Sequence, residues 1–468
     1  MESPFHQLAG RAFAEFSQGG GGPAIIRSLL AGQYSKNLLL LRAIVELTTE
    51  SGHRDLAPIG RAYSSIQEIR RYAPQAARTV LTYPSVSAWA MTTVVQLSNG
   101  VAGTHPGRIG ALATAVALQA RVPVAITLPA TSWSAGALAL PSLGRILLPQ
   151  PDAPVVPVRT GADGAALTVD GGFVSLTSPD DPGRADRWTG SAPSDGSTDP
   201  AEPGGRLWQP VPRLSAAHGG LALRLRLDDL GAFSGIGEQS PKPMGRAELA
   251  EWQGLISSGW RLLVEGHRPY AEEIAAAITM VAPLRTPDRG QVSGTFRNAV
   301  GCVAMSRPAD HRSAAVTLVH ELQHTKLSAL MNLFPLVEPG PDDRFHAPWR
   351  TDRRPLAGLL QGLYAHLGVA AFWRRQARHE SEPTHLLRAQ VEFARWREAC
   401  REVADLLLET GRLSRVGRYV VGGARRTLAE WQGERLPTRA VAIARRLAEE
   451  HRARYEETSS STGAPGQP

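Results

Sequence analysis

The sequence predicts an α+β protein that is mainly helical and carries a central β-rich segment. Apolar residues recur at helical spacing over residues 24–50 and again from 385 to about 457. From about residue 144 the pattern changes to short alternating runs bounded by Gly, Pro and Asp, which is typical of β-hairpins. A His-Glu-x-x-His motif within residues 317–336 adds a zincin-like metal helix, which we expect beside a β-strand.

These patterns divide the chain into five predicted segments. They are an N-terminal helical region (1–143), a β-rich region with a long loop (144–235), a catalytic metal-binding region (236–384), C-terminal helices (385–457) and a disordered tail (458–468). Four consecutive glycines at 19–22 favour a flexible loop over a phosphate cradle, because no strand precedes them and no Lys-Ser/Thr pair follows.

The elements that surround the motif follow from local pattern. Residues 221–230 alternate perfectly and predict a half-buried strand, and helical periodicity resumes near Ala247. The apolar run "VGCVAMS" then predicts a strand just before the metal helix. We expect Pro308 in the first turn of that helix and Pro335 just past its end.

Composition narrows the classes of partner. Basic residues outnumber acidic ones by 51 to 43, a formal charge of +8, and only three of the basic residues are lysines. Ala, Gly and Pro are abundant as well, so the simplest interpretation of the arginine excess is the codon bias of a GC-rich genome. Scattered arginines without a zinc knuckle or an RNA-binding aromatic signature argue against nucleic acid. Attraction of an acidic peptide remains the functional alternative.

Cysteine use and hydropathy address the compartment. Cys302 and Cys400 are too few for a disulfide framework, and neither belongs to a Cys-x-x-Cys pair. The N-terminus lacks the basic-then-apolar pattern of a signal peptide. The most apolar stretch, 110–130, is interrupted by Arg121 and Pro123, so it is too short for a membrane span. We therefore expect a cytoplasmic protein with no membrane partner.

The motif itself predicts a metal site. His320 and His324 are four residues apart, so both imidazoles project from one face of a helix and can share one ion. Glu321 lies about 100° round the helix from His320, where a zinc peptidase positions its general base. The flanking apolar residues would bury the other faces: Ala314, Ala315, Leu318, Val319, Leu322 and Leu327.

Two histidines do not complete a metal site. A metzincin would continue to a third histidine, whereas Lys326 and small residues follow here, and no Asn-Glu-x-x-Ser-Asp segment of the thermolysin type is present. Glu338 sits in a proline-rich loop and is a poor ligand candidate. The helical stretch 354–375 offers His366 as the third ligand, or else as a hydrogen-bonded core histidine. Gln361 on the same stretch could orient a ligand.

Three arginines lie between the two helical stretches, in "FHAPWRTDRRPL". Arg350, Arg353 and Arg354 could simply form a solvated basic loop. An arginine could also act as an oxyanion clamp in a peptidase. A third possibility is bidentate capture of a small dicarboxylate. The last option fits a site in which two histidines and one further ligand leave positions open on non-haem iron(II).

Several stretches together resemble a known family. "SGTFRNAVGCVAMSRP", "TLVHELQHTKLSALMNLFPL", "APWRTDRRPLAGLLQGLYAHLGVAAFWR" and "YPSVSAWAM" are similar to the His-Glu-x-x-His peptide-modification proteins of bacterial ribosomal-peptide gene clusters. The similarity runs from about residue 35 to the last helices, and its specific part lies between 290 and 376. Because the chain lacks a Cys-x-x-x-Cys-x-x-Cys motif, it resembles the stand-alone form and not the form fused to a radical-SAM domain.

The resemblance implies a 2-oxoglutarate-dependent iron peptide β-hydroxylase. It implies that His320 and His324 bind Fe(II), that 2-oxoglutarate chelates the metal, and that an arginine such as Arg350 grips its distal carboxylate. Glu321 would then orient or supply a ligand. The implied substrate is a ribosomally made precursor peptide, and a radical-SAM enzyme of the same pathway is a possible partner. The strand before the metal helix could take the peptide by strand addition, or could be an ordinary core strand.

Two other functions stay open on the sequence alone. A zinc peptidase that trims a peptide would use the same two histidines, with Zn in place of Fe(II). A non-catalytic peptide-binding scaffold is the third alternative, and the intact motif argues against it.

Overall fold

The computed structural model describes most of the chain. The described residues are 6–133, 136–147, 154–169, 172–177, 189–191, 208–228, 244–288 and 290–461. Most of the predicted long loop, the predicted boundary at 235 and the last seven residues of the predicted tail lie outside them. The start of that tail is helical to Ser461.

Helices predominate in the described part of the chain. They are α1 Gly10–Ser17, α2 Gly22–Glu50, α3 Leu56–Tyr72, α4 Pro74–Leu81, α5 Pro84–Ser98, α6 Arg108–Ala120, α7 Arg246–Gly266, α8 Arg268–Ala277, α9 His311–Met331, α10 Leu356–His379, α11 Pro383–Glu409, α12 Arg415–Gln432 and α13 Thr438–Ser461. The expected helices from 24, from near 247 and from 385 onward are all confirmed.

Strands occupy the middle of the chain and form small sheets. They are β1 Ala125–Pro129, β2 Ala137–Leu140, β3 Gly144–Leu147, β4 Val155–Gly161, β5 Gly164–Val169, β6 Gly172–Thr177, β7 Thr189–Ser191, β8 Trp208–Pro210, β9 Arg213–His218, β10 Leu221–Leu227, β11 Met280–Leu284, β12 Ser293–Gly294, β13 Cys302–Ser306, β14 Arg344–Ala347 and β15 Arg350–Pro355. The α+β class is therefore confirmed, as are the hairpins and the half-buried strand β10, whose burial alternates.

The described strands form four sheets. An antiparallel sheet has the order β1-β4-β5-β6-β7, a second has β2-β3-β8, and β14 pairs with β15. The remaining sheet, β12-β13-β11-β10-β9, is mixed, because β11 runs parallel to both β10 and β13 while its two edge strands are antiparallel to their neighbours.

The mixed sheet separates two hydrophobic cores. Val281 and Val303 face one core, which α7 to α12 also build, whereas Met280 and Ala282 face the other, which contains α3 to α6. This division follows from the alternation of side chains along a strand. The cores do not follow the predicted segments: Phe16, near the N-terminus, belongs to the core that contains the metal helix.

Two boundaries differ from the sequence prediction. Strands begin at Ala125, so the helical region ends before residue 143. Helix α9 begins at His311, and Pro308 lies outside its first turn. The Asp310 side chain caps the helix by accepting from the Ser313 backbone N–H at 2.6 Å, which fixes the start three residues later than expected. Pro335 lies past the helix end, as predicted.

The four-glycine stretch is a turn tied to the metal helix. The Lys326 ammonium, fully buried, donates to the carbonyls of Gly19 and Gly20 at 3.0 and 2.7 Å. It also pairs with Glu273 at 2.8 Å, and the second oxygen of that carboxylate accepts from the Gly22 N–H. Gly19 has a φ of 92°, which a side chain would strain. The stretch thus works as a structural turn.

Helix α10 packs at the centre of the first core. It is the one described helix that is long and apolar enough to cross a membrane, but 78% of its most apolar window is buried inside the protein. Such burial is expected of a core helix.

Candidate metal centre

Helix α9 brings the two motif histidines together. The Nε2 atoms of His320 and His324 are 3.1 Å apart, and the two rings meet edge to face at 4.7 Å. One turn of helix separates them, so the helical spacing places both imidazoles on one face. Both rings are partly exposed, whereas the opposite face of α9 is buried in the core. The pair therefore lies at the rim of the core, where a small molecule can reach it.

Gln361 on α10 orients His324. Its Oε1 lies 2.9 Å from His324 Nδ1, while its Nε2 donates to the Ser328 hydroxyl at 3.1 Å and to the Met331 sulfur at 3.3 Å. Because the amide nitrogen is engaged by these two acceptors, the oxygen faces the ring and accepts from Nδ1–H. The Nε2 atom of His324 is thereby left with its lone pair, which is the form that binds a metal.

His366, the predicted third ligand, lies next to the pair. Its ring centroid is 4.9 Å from that of His320, and its Nδ1 donates to the Gly362 carbonyl at 2.9 Å. This bond leaves its Nε2 as the available nitrogen. Trp349 stacks on the ring at 4.6 Å and Trp396 contacts it at 4.5 Å. The surroundings are therefore those of a tightly held imidazole, which suits both a ligand and a core histidine.

A glycine on α10 makes room for the indole of Trp349. A Cβ at Gly362 would lie 2.3 Å from that indole ring, so only glycine allows the contact. Gly368 similarly accepts the side chain of Gln323, at 2.6 Å from its Cβ position. These two close approaches fix how α10 lies against α9 and the hairpin of β14 and β15.

Glu321 is a buried carboxylate at the same site. Its Oε1 is 3.9 Å from His320 Nε2, the side chain is 0% exposed, and neither oxygen has a hydrogen-bond partner among the described residues. Burial raises the pKa of Glu321 to about 8. A hydrogen bond from Ser293 would lower that pKa, but no donor reaches the carboxylate within bonding geometry, so the burial effect dominates. An unpartnered carboxylate of this kind is the residue a cation would satisfy.

The three arginines of the predicted anion site lie on or next to β15. Arg350 and Arg354 both pair with Asp352, at 2.5 and 3.1 Å, and Arg353 donates to the Arg344 carbonyl. Burial lowers the pKa of His324 most, and the charge of Arg354 lowers it further. The hydrogen bond with Gln361 acts in the opposite direction. The charge of Arg354 therefore affects a histidine of the metal helix. The sequence had favoured Arg350 for the anion site.

The strand before the metal helix is an interior strand. β13 is buried throughout and pairs with β11 on one side and β12 on the other. Of the two predicted alternatives for "VGCVAMS", the structure has the core strand. The sheet edge next to it is β12, a two-residue strand in contact with α9.

The donor set fits a divalent transition metal. Burial lowers the pKa of His320, His324 and His366, the last to about 3, so all three imidazoles are neutral at pH 7, as ligands must be. The 3.1 Å separation of the two Nε2 atoms suits nitrogens that share an ion at about 2.1 Å, and also an N–H···N hydrogen bond without one. No three His, Cys, Asp or Glu side chains in the described ranges already converge as a complete metal site.

Sequence reasoning missed the aromatic surroundings of the site. Trp396, on α11, comes from a segment taken only as charge-laced helix, and Ser293 comes from the glycine-rich stretch before β13. Neither has a local signal: Trp396 is defined by its contact with His366 on α10, and Ser293 by its place in β12, the strand that contacts α9.

Comparisons with known proteins identify no relative that bears on this site. No protein-family model matches the chain, and no curated protein matches its sequence. The family resemblance carried by the four quoted stretches therefore remains a prediction.

Proposed function

We propose that the protein is an iron(II)- and 2-oxoglutarate-dependent oxygenase that hydroxylates the β-carbon of a side chain in a ribosomally made precursor peptide. The proposal is supported by the His320–His324 pair, whose Nε2 atoms are 3.1 Å apart, and by Arg354, whose Nε lies 3.2 Å from the Cβ position of Gly358 at the start of α10. An arginine beside a two-histidine pair suits a co-substrate with two carboxylates, one on the metal and one on the arginine.

Each residue of the site has a role in this proposal. His320 and His324 would hold the metal in a zincin-like helix, with Glu321 or His366 as a further ligand. Gln361 keeps the lone pair of His324 on Nε2. Bound iron(II) and 2-oxoglutarate would supply an oxidation in which O₂ is the oxidant. One oxygen atom would enter succinate, the other would convert a peptide C–H group to C–OH, and the 2-oxoglutarate would lose CO₂.

Arg350 and Arg354 would bind the distal carboxylate of 2-oxoglutarate in exchange for Asp352. Their pairs with Asp352 involve half-exposed side chains, and such surface pairs contribute about 0–1 kcal/mol, so a bidentate carboxylate can replace them. Arg353 already donates a hydrogen bond to a backbone carbonyl. It would contribute positive charge to the site but not a pair of N–H groups for a carboxylate.

Zinc peptidase activity is the second candidate. The pKa of Glu321, raised to about 8 by burial, is in the range of a general acid or base. Against this candidate, the carboxylate is 0% exposed, whereas a peptidase base must contact a water that also reaches the substrate. The protein is proposed to work in the cytoplasm on a peptide, without membrane or nucleic acid, and in a pathway that could include a radical-SAM enzyme.

One assay separates the two candidates. The purified protein is given Fe(II), 2-oxoglutarate, oxygen and the peptide encoded by a short gene beside its own. The oxygenase predicts succinate and an intact peptide one oxygen atom heavier, and His320→Ala or His324→Ala should abolish both. Cleavage that requires zinc and ignores 2-oxoglutarate would sink the proposal. Glu321→Gln adds a second criterion, because a peptidase must lose all activity.

A pair of variants tests the co-substrate site. Arg354→Gln should raise the KM for 2-oxoglutarate by about tenfold or more, since a charged hydrogen bond is lost. Arg344→Gln is the matched control: it lies in the same hairpin and pairs only with Asp342 on the surface. An equal KM in both variants would remove Arg354 from the site.

A further inference from the structure

A cavity of about 780 Å³ lies outside the metal site. Its walls come from α5, α6, the β2–β3 hairpin and the loop 295–298 that follows β12. None of the histidines, arginines or glutamine of the metal centre lines it. A cavity of this volume is large enough for several residues of a peptide.

Arg108 is the side chain that gives the cavity its character. It begins α6, lines the cavity, and its pKa is lowered by burial alone. Its guanidinium forms no hydrogen bond or ion pair with any residue in the described part of the chain. A partly desolvated guanidinium without a counter-charge costs stability, so a ligand that supplies a carboxylate is the natural partner.

The other charged groups of the cavity do not neutralise the positive charge of Arg108. Its acidic residue, Asp228, is buried and accepts from the Tyr83 hydroxyl at 2.8 Å. Arg145 and Arg297 add two more positive charges, with Arg145 bonded to the Gln209 amide at 2.7 Å. The lining is therefore net positive among its described residues.

The cavity is continuous in sequence with the edge strand beside the metal helix. Strand β12 contacts the metal helix α9, and the loop that begins at residue 295, just after this strand, forms part of the cavity wall. Asn298 at the end of that loop accepts from Lys36 at 3.3 Å, which fixes the wall to α2. Ser293 and Asn298 are five positions apart along the chain, so at most about 17 Å separates them.

We propose that this cavity binds an acidic side chain or terminal carboxylate of the peptide substrate through Arg108. The proposal rests on the proposed function only in taking the ligand to be the peptide substrate. It assigns to the substrate a chemical class: a peptide with a carboxylate on one side of the modified residue.

The test uses a binding readout that needs neither metal nor turnover. A random ten-residue peptide library is selected on three immobilised full-length proteins: the wild type, Arg108→Gln, and the matched control Arg121→Gln. Arg121 lies at the opposite end of α6, is exposed, and does not line the cavity. Peptides retained by the wild type and by Arg121→Gln should be enriched in Asp and Glu, and those retained by Arg108→Gln should match the input composition.

A retained peptide then gives the affinity. Changing its Asp to Asn should weaken binding to the wild type about tenfold and should leave binding to Arg108→Gln unchanged. Arg108→Lys should retain part of the affinity, since charge is kept and the planar fork is lost.

Thermal unfolding separates this role from a structural one. If Arg108 serves a ligand, Arg108→Gln should raise the melting temperature by about 1–2 °C, because an unpaired desolvated charge is removed. A lower melting temperature, acidic enrichment retained in Arg108→Gln, or no acidic enrichment by the wild type would each overturn the proposal. If binding depends on Asp or Glu in the peptide but no peptide is hydroxylated, the proposed function is refuted and this inference stands.

Discussion

His324 and Gln361 are joined across the two central helices, with 2.9 Å between the imidazole Nδ1 and the amide oxygen. The amide nitrogen of Gln361 is held in turn by two acceptors on α9. The tautomer of His324 is thus set by a residue 37 positions further along the chain.

Gln361→Leu should lower the affinity for Fe(II) about 10–100-fold while leaving the fold intact, because the ring loses the acceptor that fixes its tautomer. Metal content after dialysis against graded chelator measures this effect. Gln361→Glu retains an acceptor and should keep most of the affinity. Equal metal binding by the leucine variant would contradict the assigned role.

Gly362→Ala should destabilise the protein by about 1–3 kcal/mol, because the new methyl group would displace the Trp349 indole from its place on His366. The measurement is denaturant unfolding followed by tryptophan fluorescence. Gly60→Ala on α3 is the matched control, since nothing lies within 4 Å of its Cβ position. The control should be neutral or stabilised by up to about 1 kcal/mol.

Lys326→Met should cost about 3–5 kcal/mol, because it leaves the buried carboxylate of Glu273 without its counter-ion. Adding Glu273→Gln should recover part of this loss, since both charges are then gone and the acceptor for Gly22 is kept. Urea unfolding of both single variants and the double variant gives the coupling free energy. The exposed pair of Arg11 and Glu15 should show a coupling below about 1 kcal/mol.

Stability should fall as the pH drops below 6.5, in part through His267. Burial lowers the pKa of this histidine to about 4 in the folded protein, against 6.5 unfolded, so the unfolded chain alone binds the proton between these values. The expected loss is about 3 kcal/mol by pH 4. His267→Gln should flatten this part of the pH profile, and His385→Gln, on an exposed ring, should not. Parallel profiles for all three proteins would exclude the histidine.

The metal helix was predictable because its signal is local. The spacing of His320 and His324 fixes a shared face, and the apolar flanks fix the buried ones. The start of α9 was misplaced because a proline at the first turn competes with an aspartate cap, and Asp310 forms the cap.

The remaining parts of the site depend on contacts distant in sequence. Trp349 reaches His366 only because Gly362 leaves room on α10, and no pattern in either segment announces the pair. The choice between Arg350 and Arg354 likewise depends on how the β14–β15 hairpin lies on α10, which sequence spacing does not fix. Glu273 and Lys326 each look like surface residues until the fold brings them together.

The bond from Lys326 to Gly19 joins residues 307 positions apart. At a synthesis rate of about 5–20 residues per second, the first turn of the nascent chain waits roughly 15 to 60 seconds for its lysine. During that interval Phe16, which ends fully buried, lacks the ring of Tyr364 on which it stacks in the folded protein. Helix α9 also packs against α10, Leu356–His379, so the surroundings of His320 and His324 are complete only after that later helix has been synthesised.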